Sequence, residues 1–380
     1  MKRGIKFLLL AVIIFNLGSI VWKNSDKYFK FDYWQRYSNL KFTYENSQYV
    51  KKTSSSWVPD EFVNAYAGGA VVKGLSPILV IADQPPLGKY LIGLSGLLFN
   101  NENIIILFCG SVSLFFLYLL GKQIYNNTLL ALLPPALLSF EPLFINQFQF
   151  IPLLDIIQLS FLLPAFYFFN KAIKQSRHQQ IFFFSLAGLF LGAFISTKFF
   201  ITGLTVVGAY LLVLTRRKNL RLFLKFLPAL FLAFLVLFFS YTKVFLDGEG
   251  LRRFFGIQKW ILLYHQSQLI LPFSIWPLIL FNQWHVWWGN IPVLSDPQWQ
   301  FTWPLTLLTS LFTIALYFLG KIRLKIEFEV LAAWVVFYIL FFSFGQITAR
   351  YLVIYLPILY LITIFGLQNL FKKYGKTRNL

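Results

Sequence analysis

Residues 151–177 read IPLLDIIQLSFLLPAFYFFNKAIKQSR. A single acid, Asp155, opens a long run without charge, and Lys171, Lys174 and Arg177 close it. A helix crosses a bilayer with about 20 apolar residues, and cytoplasmic ends collect Lys and Arg. The stretch therefore reads as a membrane span with Asp155 at its outer edge. Working outward, ten runs qualify or nearly do: residues 7–22, 103–120, 128–145, 151–169, 181–197, 199–214, 223–245, 303–320, 328–345 and 350–369. The expected fold is all-α, a polytopic integral membrane protein of about ten spans forming a single membrane domain over residues 1–380. The composition agrees. Of 380 residues, 58% are hydrophobic, 20% aromatic and 13% charged, whereas soluble domains carry about a quarter charged residues. The first run sits behind Lys2, Arg3 and Lys6 like a signal peptide, but no small-residue cleavage site follows it. Val21-Trp22-Lys23 reads as an interfacial end, so an uncleaved first span is expected.

The formal net charge is +20. In a soluble protein that excess would suggest nucleic acid. Here 19 of the 34 basic residues fall on short connections and ends. They are Lys2, Arg3, Lys6, Lys122, Lys171, Lys174, Arg177, Arg216, Arg217, Lys218, Arg221, Lys225, Lys321, Arg323, Lys325, Lys372, Lys373, Lys376 and Arg378. Only Glu327 and Glu329 oppose them. The charge thus describes insertion and contact with membrane lipids, not a nucleic-acid partner. Both termini are expected in the cytoplasm and the protein in the plasma membrane. Alternation also settles residues 88–99, which are short for a span and are assigned to the outer surface. Twelve of the 14 carboxylates then lie outside or at the outer edge. Pumps and ion-coupled transporters commonly carry acids at the midplane. Acids at the outer rim favour outward-facing chemistry over a conduction path.

Two segments are expected to be folded outer loops with juxtamembrane helices: residues 23–102, and the aromatic-rich residues 246–302. One cysteine, Cys109, excludes an intrachain disulfide, and His178, His265 and His285 are too scattered for a zinc site of familiar spacing. No Walker A loop or dinucleotide fingerprint is present.

Four stretches carry candidate chemistry. The first, Trp57-Val-Pro-Asp60-Glu61, places an acid pair at a helix start, where Asp60 reads equally as a cap. In the second, Asp83-Gln84-Pro85-Pro86-Leu-Gly88-Lys89, a lysine beside free backbone N–H groups would seat a phosphate. A snorkelling lysine is the alternative. The third runs from Glu141 through Asn146, Gln147 and Gln149 to Asp155, suggesting a wet vestibule. The fourth holds Gln258, Trp260, Tyr264, His265, Ser274, Trp276, Trp284, His285, Trp287 and Trp288, an interfacial aromatic belt or a sugar-stacking surface. Lys198 and Arg350 are outer cations suited to an anionic headgroup or to anchoring.

In order and spacing these motifs resemble the protein O-mannosyltransferase (dolichyl-phosphate-mannose-protein mannosyltransferase) family. More broadly, residues 57 to 370 look like a GT-C membrane glycosyltransferase. The resemblance rests on Pro-Asp60-Glu61, Pro85-Pro86-Leu-Gly88-Lys89, Leu-Asp155, Thr197-Lys198, Tyr264-His265, Ser274-Ile-Trp276-Pro277 and Arg350. Gln84 stands where the family often has His, and Phe150 where Arg is common. The resemblance implies Asp60 as catalytic base with Glu61 beside it, Asp155 as a second acid of the site, and Lys89 on the donor phosphate with Arg350 and Lys198. Asp83, Gln84, Gln149, Tyr264, His265 and Trp276 would line the substrate pocket.

The implied reaction moves mannose or another hexose, with inversion, from a polyprenyl-phosphate donor to a hydroxyl on the extracytoplasmic face. The acceptor is a protein Ser or Thr, a lipid or a glycan. No cofactor is expected. A divalent metal on Asp60, Asp83 and Asp155 is the less favoured variant, because a lysine balances the site. The rivals are a flippase for lipid-linked sugars and a non-catalytic scaffold on the same fold.

Overall fold

The computed structural model describes the chain apart from residues 1, 52, 54–56, 219, 267–270, 287–292, 323–324 and 378–380. Trp287, Trp288, Arg323 and Arg378 therefore lie outside the described residues. An apolar environment offers backbone groups no water, so each must bond within the chain, and a helix does this segment by segment. Among the described residues the chain is helical throughout, with a lone antiparallel bridge between Trp284 and Leu294. The first part of the chain holds α1 (Lys2–Lys23), α2 (Ser25–Tyr28), α3 (Tyr33–Glu45), α4 (Asp60–Val72) and α5 (Leu87–Phe99). There follow α6 (Ile104–Tyr125), α7 (Thr128–Phe140), α8 (Pro142–Gln149), α9 (Leu154–Lys174), α10 (Arg177–Ile195), α11 (Thr202–Arg216) and α12 (Leu220–Ser240). The aromatic-rich segment forms α13 (Thr242–Leu246), α14 (Leu251–Gln266) and α15 (Ile275–Phe281). The chain closes with α16 (Thr302–Phe318), α17 (Ile326–Ser343), a 3-10 turn (Ala349–Val353) and α18 (Leu356–Thr377).

Six helices, α1, α6, α9, α10, α12 and α17, are long and apolar enough to cross a membrane. The remaining four expected spans differ from the sequence reading. Residues 128–145 are not one helix: α7 and α8 meet at a 58° bend. Pro142 starts α8, and the Glu141 carboxylate turns inward to accept Trp303 Nε1 at 3.0 Å and the Tyr360 hydroxyl. Glu141 thus bolts α16 and α18 to the bend and caps no helix. The other three runs form the shorter apolar helices α11, α16 and α18. The last begins at Leu356, because the 3-10 turn takes up residues 349–353.

Helix α9 is the hub, packed by α6, α10 and α17, while α12 backs α10 and α18 backs α16. One end of this bundle gathers Glu327 and Glu329 with basic partners. Lys174 pairs with Glu327, Arg217 lies 3.7 Å from Glu329, and Lys325 Nζ donates to the Ile124 carbonyl at 3.1 Å. The opposite end holds Asp155, α4 and α5.

Helix α4 is held there by two devices. The Tyr33 hydroxyl donates to the Ala65 carbonyl at 2.7 Å, and the rings of Tyr37 and Tyr44 stack on Tyr66 at 5.7 and 4.7 Å. On its other side α4 meets α5 at backbone range, because a Cβ built on Gly93 would lie 2.2 Å from the Gly68 carbonyl oxygen. Glycine lets helices approach this closely. The substitution Gly93→Ala is therefore expected to force α4 and α5 apart and destabilise the fold by about 1–3 kcal/mol. Thermal unfolding of the detergent-solubilised protein checks this as a lowered midpoint.

Candidate active site

Asp60 is the first helical residue of α4, behind Pro59, and its side chain caps no backbone N–H. Its carboxylate turns away from the helix instead. Oδ2 accepts Arg350 Nη2 at 2.6 Å, and Oδ1 accepts the Tyr49 hydroxyl at 2.9 Å. Arg350 reaches it from the 3-10 turn before α18, 290 residues away in sequence. Burial alone would raise the Asp60 pKa, but Arg350, with Tyr49 and Lys198, holds it below the usual carboxylate range. Asp83 faces the same cavity with the opposite bias: burial pushes its carboxyl up, against the pull of Lys89 and His265. Two carboxyls in one cavity driven apart in this way mark a site able to hold charge and protons in different places.

A second ion pair lies behind the first. Asp155, in the first turn of α9, pairs with Lys198 from the loop between α10 and α11. Lys198 Nζ also sits 4.6 Å from the centre of the Tyr351 ring. The two pairs differ in exposure. Asp155 and Lys198 side chains are 4% and 11% exposed, whereas Asp60 and Arg350 are each 35% exposed. Breaking a buried pair costs about 3–5 kcal/mol and a fully exposed one about 0–1 kcal/mol. The inner pair is the costlier to break, and the partly exposed outer pair lies between these limits.

These groups surround a cavity of about 480 Å³. It brings together the sequence-predicted Asp60, Glu61, Asp83, Gln84, Lys198, Tyr264, His265 and Arg350, and adds Tyr49, Thr348 and Tyr351. His265 is oriented by a reciprocal pair of hydrogen bonds. Its Nδ1 meets Gln346 Oε1 at 3.0 Å, and Gln346 Nε2 donates to the His265 carbonyl at 3.0 Å. Since Oε1 only accepts, Nδ1 donates the hydrogen bond to it. His265 Nε2, Gln84 Oε1 and Thr348 Oγ1 are buried atoms of cavity-lining residues with no protein partner. Leaving such an atom unsatisfied costs about 1–3 kcal/mol.

Four predicted residues are placed elsewhere. Asp155 acts through Lys198 rather than lining the cavity. Lys89 is fully buried, and its ammonium donates to the carbonyls of Val80 at 2.9 Å, Gln84 at 3.1 Å and Ile81. Lys89 thus lies outside the cavity lining and shapes the Val80–Gln84 loop that presents Asp83 and Gln84. Gln149 offers its carbonyl to Lys27. Trp276 donates Nε1 to Ser343 Oγ at 2.9 Å and braces α15 on α17. Other tryptophans are likewise anchored, Trp284 on the Ile347 carbonyl and Trp299 on that of Ile279, both at 2.9 Å. Among the described residues no group of three or more His, Cys, Asp or Glu is arranged to hold a metal.

Residues 83–241 match the family model described as dolichyl-phosphate-mannose-protein mannosyltransferase. That segment includes Asp83, Lys89, Asp155 and Lys198. No curated protein matches the chain. Among solved structures the chain is similar to ArnT from Cupriavidus metallidurans in the apo state, at 13% identity and a TM-score of 0.56, over 83% of this chain and 56% of that one. It is also similar to ArnT from Cupriavidus metallidurans bound to undecaprenyl phosphate, at 13% identity and a TM-score of 0.60, over 84% and 57% of the two chains. The chain thus spans a little over half the length of that protein. The chain shares the fold of that protein.

The carbonyl cage around Lys89 makes a structural prediction. Lys89→Met leaves buried carbonyls without donors and is expected to destabilise the protein by about 1–3 kcal/mol. Thermal unfolding should show the loss, and limited proteolysis should show faster cleavage within residues 77–86.

Proposed function

We propose that the chain is a glycosyltransferase that moves a hexose from a polyprenyl-phosphate donor to a hydroxyl acceptor at the extracytoplasmic face. One observation carries the reading. The cavity that joins Asp60, Arg350 and Lys198 shares Phe199, His265 and Tyr351 with an adjoining apolar cavity of about 370 Å³. A charged chamber that adjoins an apolar one suits a substrate that is a sugar phosphate at one end and a lipid at the other. ArnT bound to undecaprenyl phosphate supplies a lipid of that chemistry in a similar fold.

The residues suggest how the reaction proceeds. The donor phosphate lies against Lys198 and competes with Asp60 for Arg350, whose guanidinium suits a bidentate phosphate contact. Losing Arg350 frees the Asp60 carboxylate and raises its basicity, which the ion pair otherwise suppresses. Asp60 then accepts the proton of the acceptor hydroxyl as that oxygen bonds to the anomeric carbon. The bond from that carbon to the phosphate oxygen breaks with inversion, and the polyprenyl phosphate leaves with the electron pair. Arg350 and Lys198 stabilise the growing negative charge on the phosphate. His265 Nε2, Gln84 and Thr348 take hydrogen bonds from or to the sugar. The sugar identity, mannose included, and the acceptor, whether protein Ser or Thr, lipid or glycan, lie within this proposal.

Purified protein in proteoliposomes, given a radiolabelled polyprenyl-phosphate hexose, tests the reading. Asp60→Asn should lower transfer by about 10²–10⁴-fold, the usual worth of a general base, with donor binding retained. Normal transfer by a folded Asp60→Asn protein would remove the base assignment. Lipid translocation without any transfer by the wild type would point to a flippase instead. Because Arg350 and Lys198 already occupy the carboxylates of Asp60 and Asp155, EDTA should leave transfer unchanged. Loss of activity restored by Mn²⁺ or Mg²⁺ would assign a metal to the site.

A further inference from the structure

At the basic end of the bundle, far from the charged cavity, α1 and α6 both pack on α7 and enclose a second large cavity of about 510 Å³. Its lining is graded along the helix axes. On α1 it runs from Arg3 and Lys6 through Phe7 and Leu10 to Ile13, a single helical face. From α6 and α7 it takes Tyr118 and Thr128 at the charged end and Leu114, Leu132 and Pro135 deeper in. Ten residues of helix between Arg3 and Ile13 correspond to about 15 Å of rise. The floor is dry and the mouth cationic. Among the described residues the side chains of Arg3 and Lys6 have no ion pair and no hydrogen bond.

Elsewhere at this end Lys174 and Arg217 face Glu327 and Glu329. No acid lines the groove. Phe7 is 66% exposed and Phe115 56%, so the apolar part faces outward from the bundle, where lipid tails lie. Two cations over an apolar slot complement a molecule with an anionic head and a hydrocarbon tail. A soluble anion would leave the slot unfilled, and a zwitterionic lipid would leave the cations uncompensated.

We infer that the groove between α1, α6 and α7 is a binding site for an anionic phospholipid, its phosphate on Arg3 and Lys6 and an acyl chain along Phe7, Leu10, Leu114 and Leu132. The lipid would complete the loosely packed seam by which α1 joins the bundle. The site is independent of the transfer reaction.

Native mass spectrometry of the full chain, released from phosphatidylcholine vesicles with or without phosphatidylglycerol, tests it. The wild type should retain phosphatidylglycerol over phosphatidylcholine, and inorganic phosphate should not displace it. Arg3→Gln with Lys6→Gln should weaken retention about fivefold per cation removed, from the usual worth of a basic residue at an anionic surface. Leu10→Trp should reduce retention with both cations intact, by filling the slot. A control pair at the same end, Lys218→Gln with Arg221→Gln, removes equal charge and should retain lipid as the wild type does. Equal loss in the control pair would show general surface attraction and overturn the site. So would undiminished retention in either groove variant.

Discussion

Charge inside an apolar chain must find opposite charge or hydrogen bonds within the protein, and the cavity depends on that constraint. Two ion pairs meet it by joining segments far apart in sequence. Asp155 at the start of α9 holds Lys198, 43 residues on, and Asp60 at the start of α4 holds Arg350, 290 residues on. The first pair helps hold the loop between α10 and α11 over α9, beside the bond from the Leu87 N–H to the Ser196 carbonyl. The second ties the start of α4 to the 3-10 turn before α18. The difference in exposure divides their labour. The buried pair is the costlier to break and sets the geometry. The half-exposed pair is weak enough for a phosphate to displace.

Lys89 obeys the same constraint in another way. With no carboxylate bonded to it, it is satisfied by three carbonyls of one short loop. That loop is irregular backbone, and irregular backbone in a buried place needs donors for its carbonyls. One ammonium supplies three at once, which a neutral side chain of that reach does not do. The loop then carries Asp83 and Gln84 into the cavity. A lysine read as a ligand contact is thus a brace for the residues that make the contact.

Legibility in the sequence followed the range of the interaction. The apolar runs at α1, α6, α9, α10, α12 and α17 were plain, because length and hydropathy are local. The bend at Glu141 was not. It depends on Trp303 and Tyr360, which lie 162 and 219 residues away. Asp60, Asp155, Lys198 and Arg350 stood out as charges in apolar surroundings, but their pairing did not. Tyr49 and Gln346 carried no signal: one is a tyrosine in a tyrosine-rich loop, the other a glutamine beside a glycine. Gln84, Tyr264 and His265 reached the cavity as expected from their motifs. Gln149 and Trp276, from equally good motifs, were drawn into backbone and interhelical contacts. Spacing along the chain cannot distinguish a polar group that faces a cavity from one spent on a neighbouring helix.

The large positive charge gains a finer meaning from the two ends of the bundle. At the end with the cavity, cations are matched: Lys198 to Asp155, Arg350 to Asp60, Arg36 to Asp32 and Glu102. In the proposed reaction Arg350 exchanges Asp60 for the donor phosphate, whereas Lys198 keeps Asp155. That exchange would link anion recognition to proton acceptance at Asp60. At the other end Arg3 and Lys6 stand over an apolar groove with no acid to surrender. Binding an anion there releases nothing and alters no other charge. The same residue types therefore stand paired with acids around the cavity and without acids over the groove.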